Sequence, residues 1–269
     1  MADSIWTDGA GTGDLNTAGN WNGGVPGAGD NAYFVAMQSA SVTASLADLT
    51  ALLLGDVVIG EGYSGAIGST GSPLTLSAGQ IIHRGSGHLY FENGSTSDTS
   101  DVIIDTPSGM ATIGAATAKN ERIAILRAAQ ATLTSTLTGL DDLFVANAPV
   151  TIQGSNTIVD ADVATGAIVN CLAPITNLRM SGGSWTQNAA GSAIANMYIG
   201  TGATVTYNST STITLAVVYP GGTLNMQGDA RPKTITTARV FPGGRILMDG
   251  IPVTITNGGS LKGADVSVL

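Results

Sequence analysis

The chain has few charged residues, few aromatic residues and almost no cysteine. Only 11% of its 269 residues are charged and 5% are aromatic, and it has one cysteine and two histidines. A single cysteine excludes an internal disulfide framework. Two histidines in one short segment give no basis for a Ser-His-Asp triad. Because no apolar run is long enough to cross a bilayer, no membrane span is expected.

Basic residues are also scarce. Ten Lys and Arg stand against 19 Asp and Glu, for a net charge of -9. This balance offers no positive surface for a phosphate backbone, so direct nucleic-acid binding is not expected. The first six residues have neither a basic start nor an apolar run, and they predict no secretory signal. We therefore expect assembly in a cytoplasm.

Glycine is abundant, with 37 residues, and the second half of the chain repeats a short phrase. In each copy a second aliphatic residue follows the first by three positions and a third follows by two more, before a small residue. Copies begin about 17 to 22 residues apart, at Ile123, Leu140, Ile158, Ile175, Ile194, Ile213 and Ile235. Such short repeats cannot bury their own apolar face and must stack. The sequence predicts an all-β, single-chain parallel β-solenoid (β-helix).

The predicted organisation has three parts. Residues 1–35 form an aromatic and Gly-rich capping segment, residues 36–122 form irregular early turns, and residues 123–269 form the regular repeats. Residues 115–131 carry a helix-compatible composition, but their copy of the repeat spacing favours strand. A separate domain in the first half remains an alternative, although no flexible linker marks a boundary.

Four aromatic side chains near the N-terminus are the candidate partner-binding residues: Trp6, Trp21, Tyr33 and Phe34. An open solenoid end exposes unpaired strand edges and a raw core. These rings are therefore either plugs for the first turn or hot spots of an interface. The sequence alone leaves both interpretations open.

No catalytic, cofactor or metal-binding residue is assigned. The Gly-rich run between His83 and His88 predicts a turn with the two histidines on its flanks, as in a hairpin. Cys171 follows an apolar run and is expected to be a buried, inert thiol. Two carboxylate pairs are spaced to share a strand face, Asp160 with Asp162 and Asp101 with Asp105. Glycoside hydrolysis needs such a pair, but the sequence places neither in a groove with aromatic platforms.

The N-terminal pattern carries a resemblance. Trp6, Asn20-Trp21, Gly24-Val25-Pro26 and the run from Gly29 to Phe34 resemble the N-terminal segment of β-solenoid surface proteins, both autotransporter-type adhesins and tailed-phage structural proteins. The resemblance is specific over about 35 residues. Adhesins of that type are exported, so the missing signal favours a phage virion protein. The modest length is similar to that of a capsid decoration, or cement, protein.

The resemblance implies a non-enzymatic structural protein that binds the major capsid protein on the outer capsid surface of the virion and stabilises the lattice. Because lattice positions are symmetric and closed homo-oligomers dominate, we also expect a homo-oligomer, a trimer first and a dimer second. The alternative is a tail-associated or surface spike that recognises or cleaves a polysaccharide. An exported adhesin is a third possibility.

Overall fold

The architecture is known from a computed structural model. It describes residues 2–35, 39–46, 49, 53–94, 101–115, 122–134, 139–154, 157–188, 192–259 and 265–267. Residues 116–121, within the segment whose helical composition competed with strand, lie outside this range. The chain forms two compact units, Met1–Asp141 and Asp142–Leu269. In both units the described residues form strands, with one short 3₁₀ helix in the first.

In unit 1 the described residues form ten complete strands and the 3₁₀ helix Ala18–Asn20. The strands are β1 (Asp3–Trp6), β2 (Trp21–Asn22), β3 (Asn31–Phe34), β4 (Leu53–Ile59), β5 (Leu74–His83), β6 (His88–Asn93), β7 (Asp101–Asp105), β8 (Met110–Ala115), β9 (Arg122–Arg127) and β10 (Gln130–Leu133).

These strands make two parallel walls. The long wall runs β1, β3, β4, β5, β7, β9, and the short wall runs β5, β6, β8, β10. Strand β5 belongs to both, because Leu74–Leu76 pair with β6 while the stretch from Ser77 to His83 pairs with β4. The chain thus coils from one wall to the other once per turn, which is the topology of a β-solenoid.

Unit 2 repeats the same coil with greater regularity. Its strands are β11 (Leu140–Val145, from Asp142 onward in this unit), β12 (Pro149–Ile152), β13 (Ile158–Val163), β14 (Ile168–Cys171), β15 (Ile175–Met180), β16 (Ser184–Gln187), β17 (Ile194–Ile199), β18 (Thr204–Tyr207), β19 (Ile213–Val218), β20 (Thr223–Asn225), β21 (Lys233–Val240), β22 (Arg245–Leu247), β23 (Val253–Gly259) and β24 (Asp265–Ser267).

Odd-numbered strands of unit 2 pair with odd ones and even with even. Strands β13 to β23 form a parallel odd wall, and β12 to β24 form a parallel even wall. The solenoid predicted from the repeat is confirmed. The repeat positions are in register: Met197 pairs with Leu178 and Ala216, and all three are fully buried. Alternation of buried and exposed residues along each strand fills the coil with aliphatic side chains.

Pairs of glycines lie at corners where the chain passes from one wall to the other. Gly221 has φ of +79°, a left-handed conformation that side chains disfavour. A Cβ added to Gly222 would lie 2.5 Å from the carbonyl oxygen of Ile199 on the preceding turn. Consecutive turns therefore approach too closely at this corner for any side chain on Gly222.

The N-terminal end is capped as the sequence predicted. Strand β2 pairs antiparallel with the outer edge of β1, with Trp6 opposite Trp21, so the first edge of the long wall is covered. The rings of Trp6 and Trp21 meet edge to face, with centroids 5.1 Å apart. Phe34 packs 5.9 Å from Trp6, and Tyr63 follows 5.7 Å from Phe34. This aromatic cluster fills the first turns, where aliphatic residues are scarce.

One local prediction was wrong. His83 and His88 do not flank a hairpin, because β5 and β6 pair in parallel and the Gly-rich run between the histidines crosses from the long wall to the short wall. In a solenoid, glycine-rich corners join successive walls, so a turn signal does not imply antiparallel pairing. The strand interpretation of residues 115–131 is confirmed where β9 and β10 cover it.

Candidate functional site

The four candidate aromatic residues fall into two groups. Trp6, Trp21 and Phe34 are 0%, 6% and 2% exposed, so they act as plugs of the first turns. Trp21 is further fixed because its indole N–H donates to the carbonyl oxygen of Leu15 at 2.8 Å. Tyr33 alternates with Ala32 and Phe34 on β3 and points outward, half-buried. Tyr33 is therefore the only one of the four with its side chain on the outer face of the long wall.

Tyr33 belongs to an outward apolar row that runs across the long wall of unit 1. Pairing registers place one apolar residue of each strand side by side, and all are half-buried on the outer face. We call this set the apolar row: Ile5, Tyr33, Val58, Ile82, Ile103 and Ala124. A contiguous strip of partly exposed apolar side chains on a sheet face is typical of an interaction surface.

A polar row lies beside the apolar row, two residues earlier on each strand. It consists of Asp3, Asn31, Asp56, Gln80, Asp101 and Arg122. The Asn31 side chain links its neighbours, because its amide donates to Asp3 at 2.9 Å and its oxygen accepts the backbone N–H of Asp56 at 2.9 Å. The row carries three carboxylates against one guanidinium, so the edge of the apolar row is acidic.

Both predicted carboxylate pairs do share an outer strand face. Asp101 and Asp105 lie on β7, where Asp105 accepts a 2.6 Å hydrogen bond from Arg127. That hydrogen bond holds the pKa of the Asp105 carboxyl below its ordinary value. The first carboxylate pair therefore has an arginine neighbour on the next turn. The second pair has one as well.

Asp160 and Asp162 lie on β13 opposite Asn177 and Arg179 of β15. Arg179 contacts both carboxylates, at 2.5 Å from Asp160 and 3.6 Å from Asp162. The Asn177 amide donates to Asp160 at 3.2 Å and in turn accepts from Asn196 at 2.9 Å. This ladder of side chains fixes the Arg179 guanidinium on the outer face of the odd wall.

A groove of about 390 Å³ opens beside Arg179 in unit 2. Its lining combines aromatic rings with charged and hydroxyl groups, chiefly Phe144, Asp162, Arg179, Tyr198, Thr201 and Tyr219. Phe144 and Tyr219 are 38% and 41% exposed. We call this the Tyr219 groove. It supplies the combination of aromatic surface and carboxylate that the sequence alone did not place together.

Tyr219 also stacks on the ring of the next turn. Its centroid lies 5.3 Å from that of Phe241, with the ring planes 4° apart, and Phe241 is 44% exposed. The two residues directly follow Val218 and Val240, which pair in register. The stack therefore runs along the direction in which turns succeed one another.

The remaining candidates have structural environments. His83 is buried between Ile59 and Ile104 on the neighbouring strands, and burial lowers the pKa of its imidazole to about 4. His88 stacks on Tyr90 with centroids 3.8 Å apart, and its Nε2 lies 2.9 Å from the Thr112 hydroxyl. These two histidines lie on different walls.

Cys171 is fully buried, and burial raises the pKa of its thiol to about 12. Its sulfur lies 3.3 Å from the carbonyl oxygen of Ala173. A thiol with this pKa carries almost no thiolate near neutral pH, so it is a poor nucleophile.

Within the described ranges, no three His, Cys, Asp or Glu side chains come together in a way that could hold a metal ion. None of the helices that the described residues form is both long and apolar enough to pass through a membrane.

Comparison with known proteins gives no relatives. No family model matches the chain, and neither a curated protein nor a solved structure matches it.

Sequence reasoning missed both surfaces, although each left a signal. The apolar row corresponds to consecutive aliphatic residues such as Val57-Val58-Ile59 and Val102-Ile103-Ile104, in which both faces of a strand are apolar. The ring stack corresponds to Tyr219 and Phe241, each directly before a Pro-Gly-Gly sequence in successive copies of the repeat. Aligning the copies exposes both features.

Proposed function

We propose that this chain is a structural, non-enzymatic protein of a tailed-phage virion, which binds the outer capsid lattice and stabilises it. The observation that carries the proposal is the apolar row of unit 1, in which six apolar side chains, one from each strand, lie next to one another on the outer face of the long wall. The resemblance of the N-terminal segment to phage β-solenoid proteins supports the choice of partner, the major capsid protein.

The physical basis is that a hydrogen-bonded wall loses little entropy on binding. The side chains of the apolar row project from strands that are paired on both sides, from β3 through β7. A preorganised surface avoids most of the ordering cost that a flexible loop would incur. Burying Tyr33, Ile82 and Ile103 then supplies the apolar contact, while the polar row beside them forms an acidic rim.

The expected assembly on the lattice is a closed homo-oligomer, a trimer in the first instance. Capsid positions are symmetric, and closed oligomers match that symmetry. Light scattering of the purified chain measures the oligomer mass. If the protein binds capsids as a monomer, the proposed oligomer is wrong and the proposed capsid contact still stands.

Capsid binding is tested with particles assembled without this protein. Purified protein is mixed with such capsids, sedimented and imaged by electron microscopy. Ile82→Lys and Ile103→Lys each introduce a charge into the apolar row, and we expect binding to weaken by at least about tenfold. Because both side chains are on the outer face, the fold should be kept.

Thr132→Lys is the matched control, since Thr132 lies on an outward position of the short wall. It should bind like the parent protein. Capsids whose surface and salt or heat resistance do not change on adding the protein would refute the proposal. Equal binding by Ile82→Lys and Thr132→Lys would exclude the apolar row as the contact.

A further inference from the structure

The stack of Tyr219 and Phe241 ends abruptly at Gly200. Ile199, Val218 and Val240 pair in register on three successive turns, and the residues that follow them are Gly200, Tyr219 and Phe241. Phe241 covers one face of the Tyr219 ring. The other face is turned toward the preceding turn, where Gly200 has no side chain to cover it. The Tyr219 groove lies at this position, with Gly200 and Thr201 in its lining.

The open face of Tyr219 is therefore a platform for one more flat group. Gly200 cannot fill the space itself, because a Cβ there would lie 2.7 Å from the carbonyl oxygen of Met180. Phe144 and Tyr198 extend the aromatic surface of the groove. Tyr198 pairs in register with Arg179, so a ring and a guanidinium lie side by side.

Polar groups at the groove are arranged in donor and acceptor pairs. The Arg179 guanidinium lies 3.6 Å from the Asp162 carboxylate, and it is anchored from its other side by Asp160. The hydroxyls of Ser181 and Thr201 donate to backbone carbonyls within unit 2, at 3.3 Å and 2.8 Å, and still have lone pairs to accept with. Neighbouring hydroxyls of a sugar can accept from the guanidinium and donate to the carboxylate at once.

We propose that the Tyr219 groove binds a neutral polysaccharide, with the C–H face of one pyranose ring stacked on Tyr219 and its hydroxyls bonded to Arg179 and Asp162. This goes beyond the proposed capsid contact, which uses residues of unit 1. A sugar suits the groove because it has an apolar face and a polar rim. An apolar side chain of a partner protein would desolvate Arg179 and Asp162 without replacing their hydrogen bonds.

The charges favour a neutral ligand over a charged one. Asp162 and Arg179 offset each other, and Asp160 leaves a local excess of one negative charge. The whole chain carries a net charge of -9. A polyanionic polysaccharide would be repelled by both, whereas uncharged hexoses would meet matched donors and acceptors.

The test is a titration of the full purified chain with hexasaccharides of glucose, mannose, galactose and N-acetylglucosamine, and with an oligogalacturonate as the acidic probe. Calorimetry measures affinity, and ¹⁵N amide spectra locate the contact. We expect saturable binding of at least one neutral oligomer, with shifts of the Gly200 and Thr201 amides. The acidic probe should not compete.

Two variants and one control sharpen the result. Tyr219→Ala removes the platform and should weaken binding by at least about tenfold. Ser181→Trp fills the groove and should abolish binding while keeping every ring of the stack. Phe241→Ala removes the ring behind Tyr219 and should retain most of the affinity. Unchanged ¹⁵N spectra away from the groove establish that each variant is folded.

Several outcomes would overturn the proposal. One is that none of the four neutral oligomers binds saturably. Another is that the chain prefers the acidic probe, and a third is that Tyr219→Ala binds as tightly as the parent protein. Selection of an aromatic peptide from a displayed library, with shifts at Gly200 and Thr201 and no sugar binding, would assign the groove to a protein partner. The capsid assay on Ile82→Lys uses no groove residue, so either proposal can fail alone.

Discussion

The indole N–H of Trp21 donates a 2.8 Å hydrogen bond to the backbone carbonyl of Leu15. Trp21 also packs against Trp6 and Phe34, with centroids 5.1 and 5.7 Å away. A short edge strand of two residues, β2, is thereby attached to the core by one large ring. The stability of the N-terminal cap should depend on this ring more than on the two-residue strand.

Truncating that ring should destabilise unit 1. Trp21→Ala removes the ring that packs against Trp6 and Phe34, and we expect the free energy of unfolding to fall by about 3–5 kcal/mol. Trp21→Phe keeps an aromatic ring but loses the hydrogen bond to Leu15, and it should cost about 1 kcal/mol from that bond. Urea denaturation followed by tryptophan fluorescence and circular dichroism measures both. Equal losses in the two variants would contradict the packing argument.

His83 should make stability depend on pH. Its pKa is about 4 in the folded protein, lowered by burial from an ordinary value of 6.5. Between these values the unfolded chain binds a proton that the folded chain does not, so stability falls as pH falls from 6.5 toward 4. The loss is on the order of 3 kcal/mol once pH is below both values. Urea midpoints measured from pH 7.5 to 4 report it.

The matched variants for this effect are His83→Leu and His88→Gln. His83→Leu should flatten the pH profile in that window, because it removes the imidazole that titrates. The variant should still fold, because an aliphatic side chain suits a position between Ile59 and Ile104. His88 is more exposed, and burial lowers its pKa as well, so His88→Gln should remove a smaller part of the slope. A His83→Leu protein with the parent's pH dependence would disprove the assignment.

A buried polar chain stabilises the core of unit 2. The Trp185 indole N–H donates to the Gln187 side-chain oxygen at 3.0 Å, and the Gln187 amide donates to the Ala173 carbonyl at 2.7 Å. Trp185→Phe removes the donor to a buried oxygen and should cost about 1–3 kcal/mol. Combined with Gln187→Leu in a double-mutant cycle, the pair should show positive coupling of at least about 0.5 kcal/mol. Additive losses would show that the two side chains act independently.

Gly222 should tolerate alanine less well than Gly202. A Cβ on Gly222 would lie 2.5 Å from the Ile199 carbonyl oxygen, so the turn would have to shift. Gly202 has φ of +73° but open space around it, so Gly202→Ala should cost about 1–2 kcal/mol for the left-handed conformation alone. Urea unfolding of both variants should show a larger loss for Gly222→Ala. The opposite order would mean that backbone conformation, rather than close approach, selects glycine here.

The fold was predictable because the aliphatic positions of the repeat are the ones whose side chains point into the coil. Ile175, Leu178 and Met180 recur as Ile194, Met197 and Ile199, and the structure pairs them residue for residue. A conserved spacing within one chain needs no homologue to be recognised. For the N-terminal aromatic residues, the sequence predicted either plugs or interface hot spots, and only the coordinates separate buried Trp6, Trp21 and Phe34 from outward Tyr33.

The outer surfaces were not predictable in the same way. A pattern of alternation identifies the buried face, but it does not say which outward residues become neighbours across turns of different length. Phe144, Arg179 and Tyr219 line one groove although they come from three separate repeats. Their association depends on how β11 through β19 align, which the sequence repeat implies only after the corners have been placed.

The in-register stacking of unit 2 has a consequence for how its surface can change. Ile175 pairs with Ile194, and the residues between them complete one full circuit of the coil. Duplicating or deleting one such circuit elsewhere in the unit would translate every later side chain by a single strand spacing, about 4.8 Å, without altering its neighbours. The distance between two surface features can thus be lengthened or shortened in whole strand spacings, while the side chains that make up each feature stay the same.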